Sequence, residues 1–179
     1  MHTAYIGMGG NVASWAGPPE ITVAAAVLRL ESLGRVVSRS SLYNTAPVGI
    51  AEQPRFVNAV VALKTELEPR KLLGELLAVE VEFGRYRAAE IVNGPRTLDL
   101  DILLFDHVRI NEPGLEIPHP RLAQRAFVLI PLCEVAAQTL DPNTGRTVTE
   151  LLDGLFLNSE GEGDAVVRIQ GDGWRSGET

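Results

Sequence analysis

Four strand-like runs interleaved with two proline-opened helical runs constrain this 179-residue chain more than any other feature. The first strand covers residues 3 to 8. The helix after it opens at Pro18-Pro19 and stops at Gly34, because proline suits a first helical turn and glycine the position past the last. Ile21, Ala25 and Leu28 mark its expected inward stripe. Residues 36 to 43 and 56 to 65 read as two strands around a loop holding Pro47, Gly49 and Pro54. A second helix starts at Pro69 and runs to about residue 83, with Gly84 as its stop signal. Residues 98 to 105 form the next strand, and Asp106-His107 would turn it into a short partner at 108 to 110. Strand, helix, strand, strand, helix, strand is the ferredoxin-like βαββαβ order, an α+β fold with an antiparallel sheet and helices on one side. Residues 120 to 135 read as helical with an interruption at Pro131, and 148 to 155 as a further short helix. The expected division is a catalytic domain over 1–158 and a loosely held tail over 159–179, with an edge strand in the run Val166-Val167-Arg168-Ile169.

Composition narrows the function classes. A net charge of −7 argues against a general nucleic-acid binder. Yet only Lys64 and Lys71 are lysines, and every other basic side chain is arginine, whose planar fork of donors suits phosphate oxygens. Local arginine clusters in an acidic chain imply a discrete anion site. The single cysteine, Cys133, sits in an apolar run and offers no disulfide, which fits a reducing cytoplasm. The first residues carry no signal-peptide pattern, and no run is long enough to span a membrane.

The strongest chemical signal is the run from Gly94-Pro95-Arg96-Thr97 to Leu104. Side chains alternate along a strand, so Asp99 and Asp101 share a face at a spacing of roughly 6.6 Å. Leu98, Leu100, Ile102 and Leu104 would form the opposite, apolar face. Two carboxylates that close repel unless something neutralises them, and magnesium shared with substrate phosphates would do so. A bare pair of aspartates on a solvated strand is the plainer reading, which Arg96 and the Gly-Pro turn beside it argue against. Upstream, Arg85 and Arg87 flank the stretch 88 to 94, and mobile arginines can follow charge in phosphoryl transfer; the plainer reading is a helix-end cluster. Glu80 lies among Leu73, Leu76 and Phe83 on one helix face, where a carboxylate needs a partner. Finally, His119, Arg121, Arg125 and Phe127 fall close together, and two arginines four apart can meet one anion. Neither a Walker A run nor a complete dinucleotide fingerprint is present.

These residues carry a resemblance. The run Tyr5-Ile6-Gly7-Met8-Gly9-Gly10-Asn11 resembles the opening strand and glycine loop of the dihydropterin pyrophosphokinases. Residues 43 to 49 and 53 to 58 are similar to that family's pterin loop and following strand. Residues 94 to 104 match its signature, and Pro118-His119-Pro120 and Arg125-Ala126-Phe127 complete the order. The resemblance spans about residues 4 to 155. It implies that Asp99 and Asp101 bind two Mg2+ ions bridging ATP phosphates and the pterin hydroxyl. It implies that Arg85 and Arg96 stabilise the transferring charge, while Glu80, Arg87, Arg96, Ile102, Leu115, His119 and Arg125 line the ATP site. Thr45, Ala46, Pro47, Val48, Phe56, Asn58 and Phe127 would hold the pterin. The hydroxyl would attack the β-phosphorus and AMP would leave. The implied partners are ATP and the dihydropterin alcohol, without nucleic acid or membrane, in a monomer. Asn93 stands where the family often has tryptophan, Pro120 where it has tyrosine, and Gly10 where it has serine. Gly114 and Glu116 replace a basic or hydroxyl pair. Residues 84 to 94, with the Pro47 loop, are expected to act as lids.

Two rival readings remain at this level. A two-metal nucleotidyltransferase also pairs aspartates on a ferredoxin-like sheet, but it would release pyrophosphate. A non-enzymatic ligand- or RNA-binding module would normally show exposed strand aromatics and basic balance, and this chain has three tyrosines, five phenylalanines and an acidic charge.

Overall fold

The computed structural model describes residues 1–49, 52–87, 93–158, 166–170 and 174. The elements follow the expected order: β1 (His2–Gly10), α1 (Pro19–Leu30), β2 (Arg35–Arg39), β3 (Tyr43–Thr45), β4 (Phe56–Thr65), α2 (Pro69–Glu82) and β5 (Asp99–Phe105). A hairpin of β6 (Ile110–Glu112) and β7 (Leu115–Ile117) comes next, then α3 (Ala126–Ala136), α4 (Val148–Asn158) and β8 (Val166–Arg168). Strands run β5-β1-β4-β3-β8 across one sheet, with β2 also paired to β4. All these pairings are antiparallel. Among the described residues no helix is long and apolar enough to cross a membrane.

Helices cover both faces of the sheet, not one. The cause is β4, which is apolar on both sides: Val57, Ala59, Val61 and Leu63 join one core cluster and Val60 the other. A strand of that kind must be covered twice. On the first face α1 and α2 pack over Ala4, Ile6, Met8, Leu98, Leu100 and Ile102. On the second, α3 and α4 contribute Leu129, Leu132, Val148 and Leu151 against Val60, Leu103 and Leu104.

Several local expectations change. The inward face of α1 is Val23, Ala26, Val27 and Leu30, whereas Ile21 and Leu28 are 52% and 70% exposed. The expected strand 36 to 43 divides into β2 and β3, because Ser41 turns its amide and hydroxyl to Glu134 of α3. Leu104 leaves the face of Leu98, Leu100 and Ile102. Tyr5 pairs with Leu104 while Ile6 pairs with Ile102, so Leu103 is an inserted residue, and such a bulge flips every side chain beyond it. The segment 108 to 110 does not return along β5. Asp106 instead caps the start of β1, accepting from Thr3 N at 2.8 Å and meeting His2 Nδ1 at 2.7 Å, and β6 pairs with β7. The helical run after Pro120 breaks at Arg125, which is extended (φ −128°, ψ 105°), and Pro131 lies inside α3. From the tail, Val166–Arg168 forms the edge strand beside β3, and the Trp174 indole is buried in the larger core.

Candidate active site

The site forms on the second face, where β1 carries glycine. Gly7 and Gly9 stand opposite Asp101 and Asp99 in the β1–β5 pairing. A Cβ on Gly9 would overlap the Asn58 amide oxygen, and one on Gly10 would overlap the Thr97 carbonyl. The glycine run therefore lets a neighbouring strand and the Arg96-Thr97 turn close onto β1. Asn11 then fastens that turn. Its Oδ1 accepts from Arg96 N at 2.9 Å, and its Nδ2 donates to Gln53 Oε1 and Pro54 O at 3.0 and 2.9 Å.

Glu80 is 1% exposed and is not among the described residues that line the site's clefts; it lies beneath the site as the anchor of two arginines. Its Oε1 accepts from Arg85 Nη1 at 3.1 Å, Arg87 Nη2 at 2.8 Å and Leu100 N at 2.8 Å, and its Oε2 from Arg87 Nε at 2.8 Å. Arg85, itself 6% exposed, also donates from Nη1 to Leu98 O at 3.1 Å and to Asp99 Oδ1. Asp99 meets Arg87 at 3.6 Å and Arg96 Nε at 3.3 Å. Arg96 lies over the Phe56 ring at 5.0 Å.

The two aspartates consequently differ. Burial works against the charge on Asp99, but Arg96, Arg85 and Arg87 hold its carboxyl below the ordinary range. Burial, then the charges of Asp99 and Glu80, push Asp101 up to about 7. Among the described residues Asp101 makes no ion pair where Asp99 makes three, and Arg87 and Arg85 offset its repulsion only in part. Among the described residues no group of three His, Cys, Asp or Glu side chains could hold a metal unaided. Two oxygen donors that leave most of the coordination to water and phosphate suit Mg2+.

Three contiguous clefts meet at these carboxylates. Thr45, Ala46, Val48, Phe56, Asn58 and Phe127 line the first, with Arg96, Arg125, Asp99 and Asp101 at its mouth. Pro47 is not among its lining residues. The Asn58 amide donates to Thr45 Oγ1 at 2.6 Å, which fixes the polar edge of that pocket. Arg85, Arg87, Arg96, Arg121, Arg125 and His119 line the second. Ile102 and Leu115 line the third with Arg87 and His119. The bulge builds this corner, because the carbonyl of Leu103 accepts from His119 N at 2.9 Å. Burial and the nearby Arg125 charge lower the His119 pKa to about 4, so the imidazole is neutral at pH 7. Burial and Arg121 lower that of Arg125. Sequence reasoning assigned no individual role to Asn11 or Gln53, which the fold brings to the site. Asn11 carried a faint signal, a polar side chain directly after a glycine run at a strand end. Residues 88–92 of the expected lid, and Ile50 and Ala51 of the Pro47 loop, lie outside the described residues.

A cleft this rich in fixed cations, opening beside a neutral pocket walled by two phenylalanine rings, defines an enzyme of phosphoryl-group transfer. The sequence profile of the 7,8-dihydro-6-hydroxymethylpterin-pyrophosphokinase family matches residues 5–137, and the chain belongs to that family. It is 45% identical over 150 residues to the 2-amino-4-hydroxy-6-hydroxymethyldihydropteridine pyrophosphokinase of Pseudomonas aeruginosa, covering 83% of this chain and 88% of that one. It is 40% identical over 145 residues to the mitochondrial folate synthesis bifunctional protein of Arabidopsis thaliana, covering 80% of this chain but 25% of that protein. Among solved structures, wild-type HPPK-DHPS of Plasmodium falciparum with pteroate superposes with a TM-score of 0.72 at 14% identity. That match covers 94% of this chain and 48% of the other, and establishes the fold.

Proposed function

We propose that this chain transfers the pyrophosphoryl group of ATP to the hydroxyl of 6-hydroxymethyl-7,8-dihydropterin, giving AMP and the pterin diphosphate for folate biosynthesis. The observation that carries the reading is the meeting of a neutral pocket and an arginine cleft at Asp99 and Asp101. A flat heterocycle fits between Phe56 and Phe127, with Asn58 and Thr45 offering hydrogen bonds to its edge. Ile102 and Leu115 offer an apolar seat for adenine. The triphosphate then crosses the arginines toward the pterin hydroxyl.

Asp99 and Asp101 would hold Mg2+, two ions in this reading. When bound, these neutralise phosphate charge and orient the transferring group. The arginines act as stand-in counterions until substrate arrives. Arg85, Arg87 and Arg96 turn from Asp99 to phosphate oxygens, which frees the carboxylate for the cation. Arg96, held by its backbone to Asn11 and stacked on Phe56, is set to follow charge onto the leaving group. Arg121 and Arg125 face the same cleft, and an anion between them relieves their repulsion. Neutral His119 supplies a hydrogen bond without adding charge.

Incubation with ATP, magnesium and the pterin alcohol should yield AMP and pterin diphosphate in equal amounts. Release of inorganic pyrophosphate with a nucleotidyl product would overturn the reading. Replacing Arg96 by Ala should lower kcat by roughly 10²–10³, the usual worth of one donor aimed at developing charge. Lysine should restore part of this, since it keeps the charge but not the fork. Steady-state rates for Arg96→Ala and Arg96→Lys at saturating substrates check it.

A further inference from the structure

We infer that the C-terminal residues 166–169, together with Trp174, are a working part of the acceptor site, a strap that positions β3 and so presents Thr45 to the pterin. The inference rests on the proposed reaction, and it concerns residues beyond 137, where the family profile ends. β3 is three residues long. A strand that short, paired only with β4, holds its register weakly, because few ladder bonds oppose slippage.

The strap grips the outer side of this segment at consecutive points. Thr45 pairs with Val166, Asn44 with Val167 and Tyr43 with Arg168. One step back, Ile169 N donates to Leu42 O at 2.9 Å. Two residues further, the Trp174 indole donates from Nε1 to Ser40 O at 2.6 Å. That indole is 7% exposed, packs in the main core and lies 5.7 Å from the Arg39 guanidinium. Ser40 is fully buried, and its amide and hydroxyl both bond the backbone of Val60 in β4. The whole path from the end of β2 to the pocket is thus clamped between β4 within and the strap without.

What the clamp delivers is one pair of side chains. Thr45 is 2% exposed, lines the acceptor pocket and accepts the Asn58 amide proton. A shift of β3 along β4 would take Thr45 off Asn58 and would displace Ala46 and Val48, which follow it in the wall. Asp99 and Asp101 come from β5, Arg85, Arg87 and Arg96 from the segment leading into it, and Arg121 and Arg125 from the segment before α3, so they would be untouched. Trp174 is therefore a positioning residue for the acceptor and not for the nucleotide.

In the full-length chain, Trp174→Ala and Ile169→Pro should each raise KM for the pterin alcohol about tenfold, with kcat and KM for ATP within twofold of the parent. Trp174→Phe, which keeps the packing and loses the indole donor, should fall between. Hydrogen exchange at residues 42–45 should quicken in the same order without ligand, a readout independent of catalysis. If Trp174→Ala unfolds the chain, Ile169→Pro and Trp174→Phe decide. Unchanged pterin KM with unchanged exchange in a folded variant overturns the strap, as does an equal loss in both substrates. A parent chain that makes no AMP from these substrates instead overturns the proposed reaction, and the exchange result still judges the strap.

Discussion

Asp101→Asn should leave the metal-free protein as stable as the parent or more so, while turnover with ATP, magnesium and pterin falls roughly 10³-fold. The two effects have opposite sign for one reason. Asp101 is a carboxylate near Asp99 and Glu80 with no ion pair among the described residues, and burial with those charges, only partly offset by Arg87 and Arg85, pushes its pKa up to about 7. Removing the charge relieves that repulsion. A group whose folded pKa stands above its unfolded value stabilises the fold below the unfolded value, and that contribution is lost as pH rises toward 7. The asparagine variant should therefore gain most, relative to the parent, near and above neutrality. Asp99→Asn should lose turnover as severely, yet destabilise the fold by about 2 kcal/mol, since it strips Arg85 and Arg96 of a charged acceptor. Thermal melts from pH 5 to 8 beside rate measurements check both. Near-normal magnesium-dependent activity in either variant would remove it from the proposed metal site.

Glu80→Ala should cost about 3–5 kcal/mol, the range for breaking a buried ion pair from one side, and roughly 10 °C in Tm at this chain length. The carboxylate is sealed, and its loss takes a charged acceptor from the buried Arg85 guanidinium and the acceptor of the Leu100 amide together. Turnover should fall as well, because Arg85 and Arg87 lose the anchor that aims them. Glu80→Gln, which keeps an oxygen for the Leu100 N–H, should recover part of the stability and little of the rate. A direct contact to nucleotide would look different: KM for ATP would rise while Tm held. Melting temperature and kcat measured together separate the two.

The chemistry of the site was legible in the sequence to the extent that it is local. Asp99 and Asp101 share a face because alternation is a property of any strand, and no bulge falls between them. Arg96 sits three residues before Asp99, just ahead of the strand, so it is near that carboxylate along the chain and meets it once the turn at 96–97 is set. Pro69 and Gly84 bounded α2 correctly because their backbone limits act within a single turn, and Gly84 does adopt φ +88°. A carboxylate among leucines signalled that Glu80 must have partners, since an uncompensated buried charge is too costly.

Which partners, and which faces, only the tertiary structure decided. α1 offers two apolar stripes to a helical period, and the sheet buries the one with Val23, Ala26 and Val27; nothing in the helix itself ranks them. The bulge at Leu103 reverses Leu104 and turns a carbonyl to His119, a contact between residues 16 positions apart. Asn11 joins Gln53 and Arg96 across separations of 42 and 85 residues. The edge of β3 is closed by a segment more than a hundred residues downstream. Periodicity and turn preference are set by neighbours along the chain, so they survive in sequence; register, helix face and long-range hydrogen bonding are settled by competition among surfaces that exist only once the chain has folded.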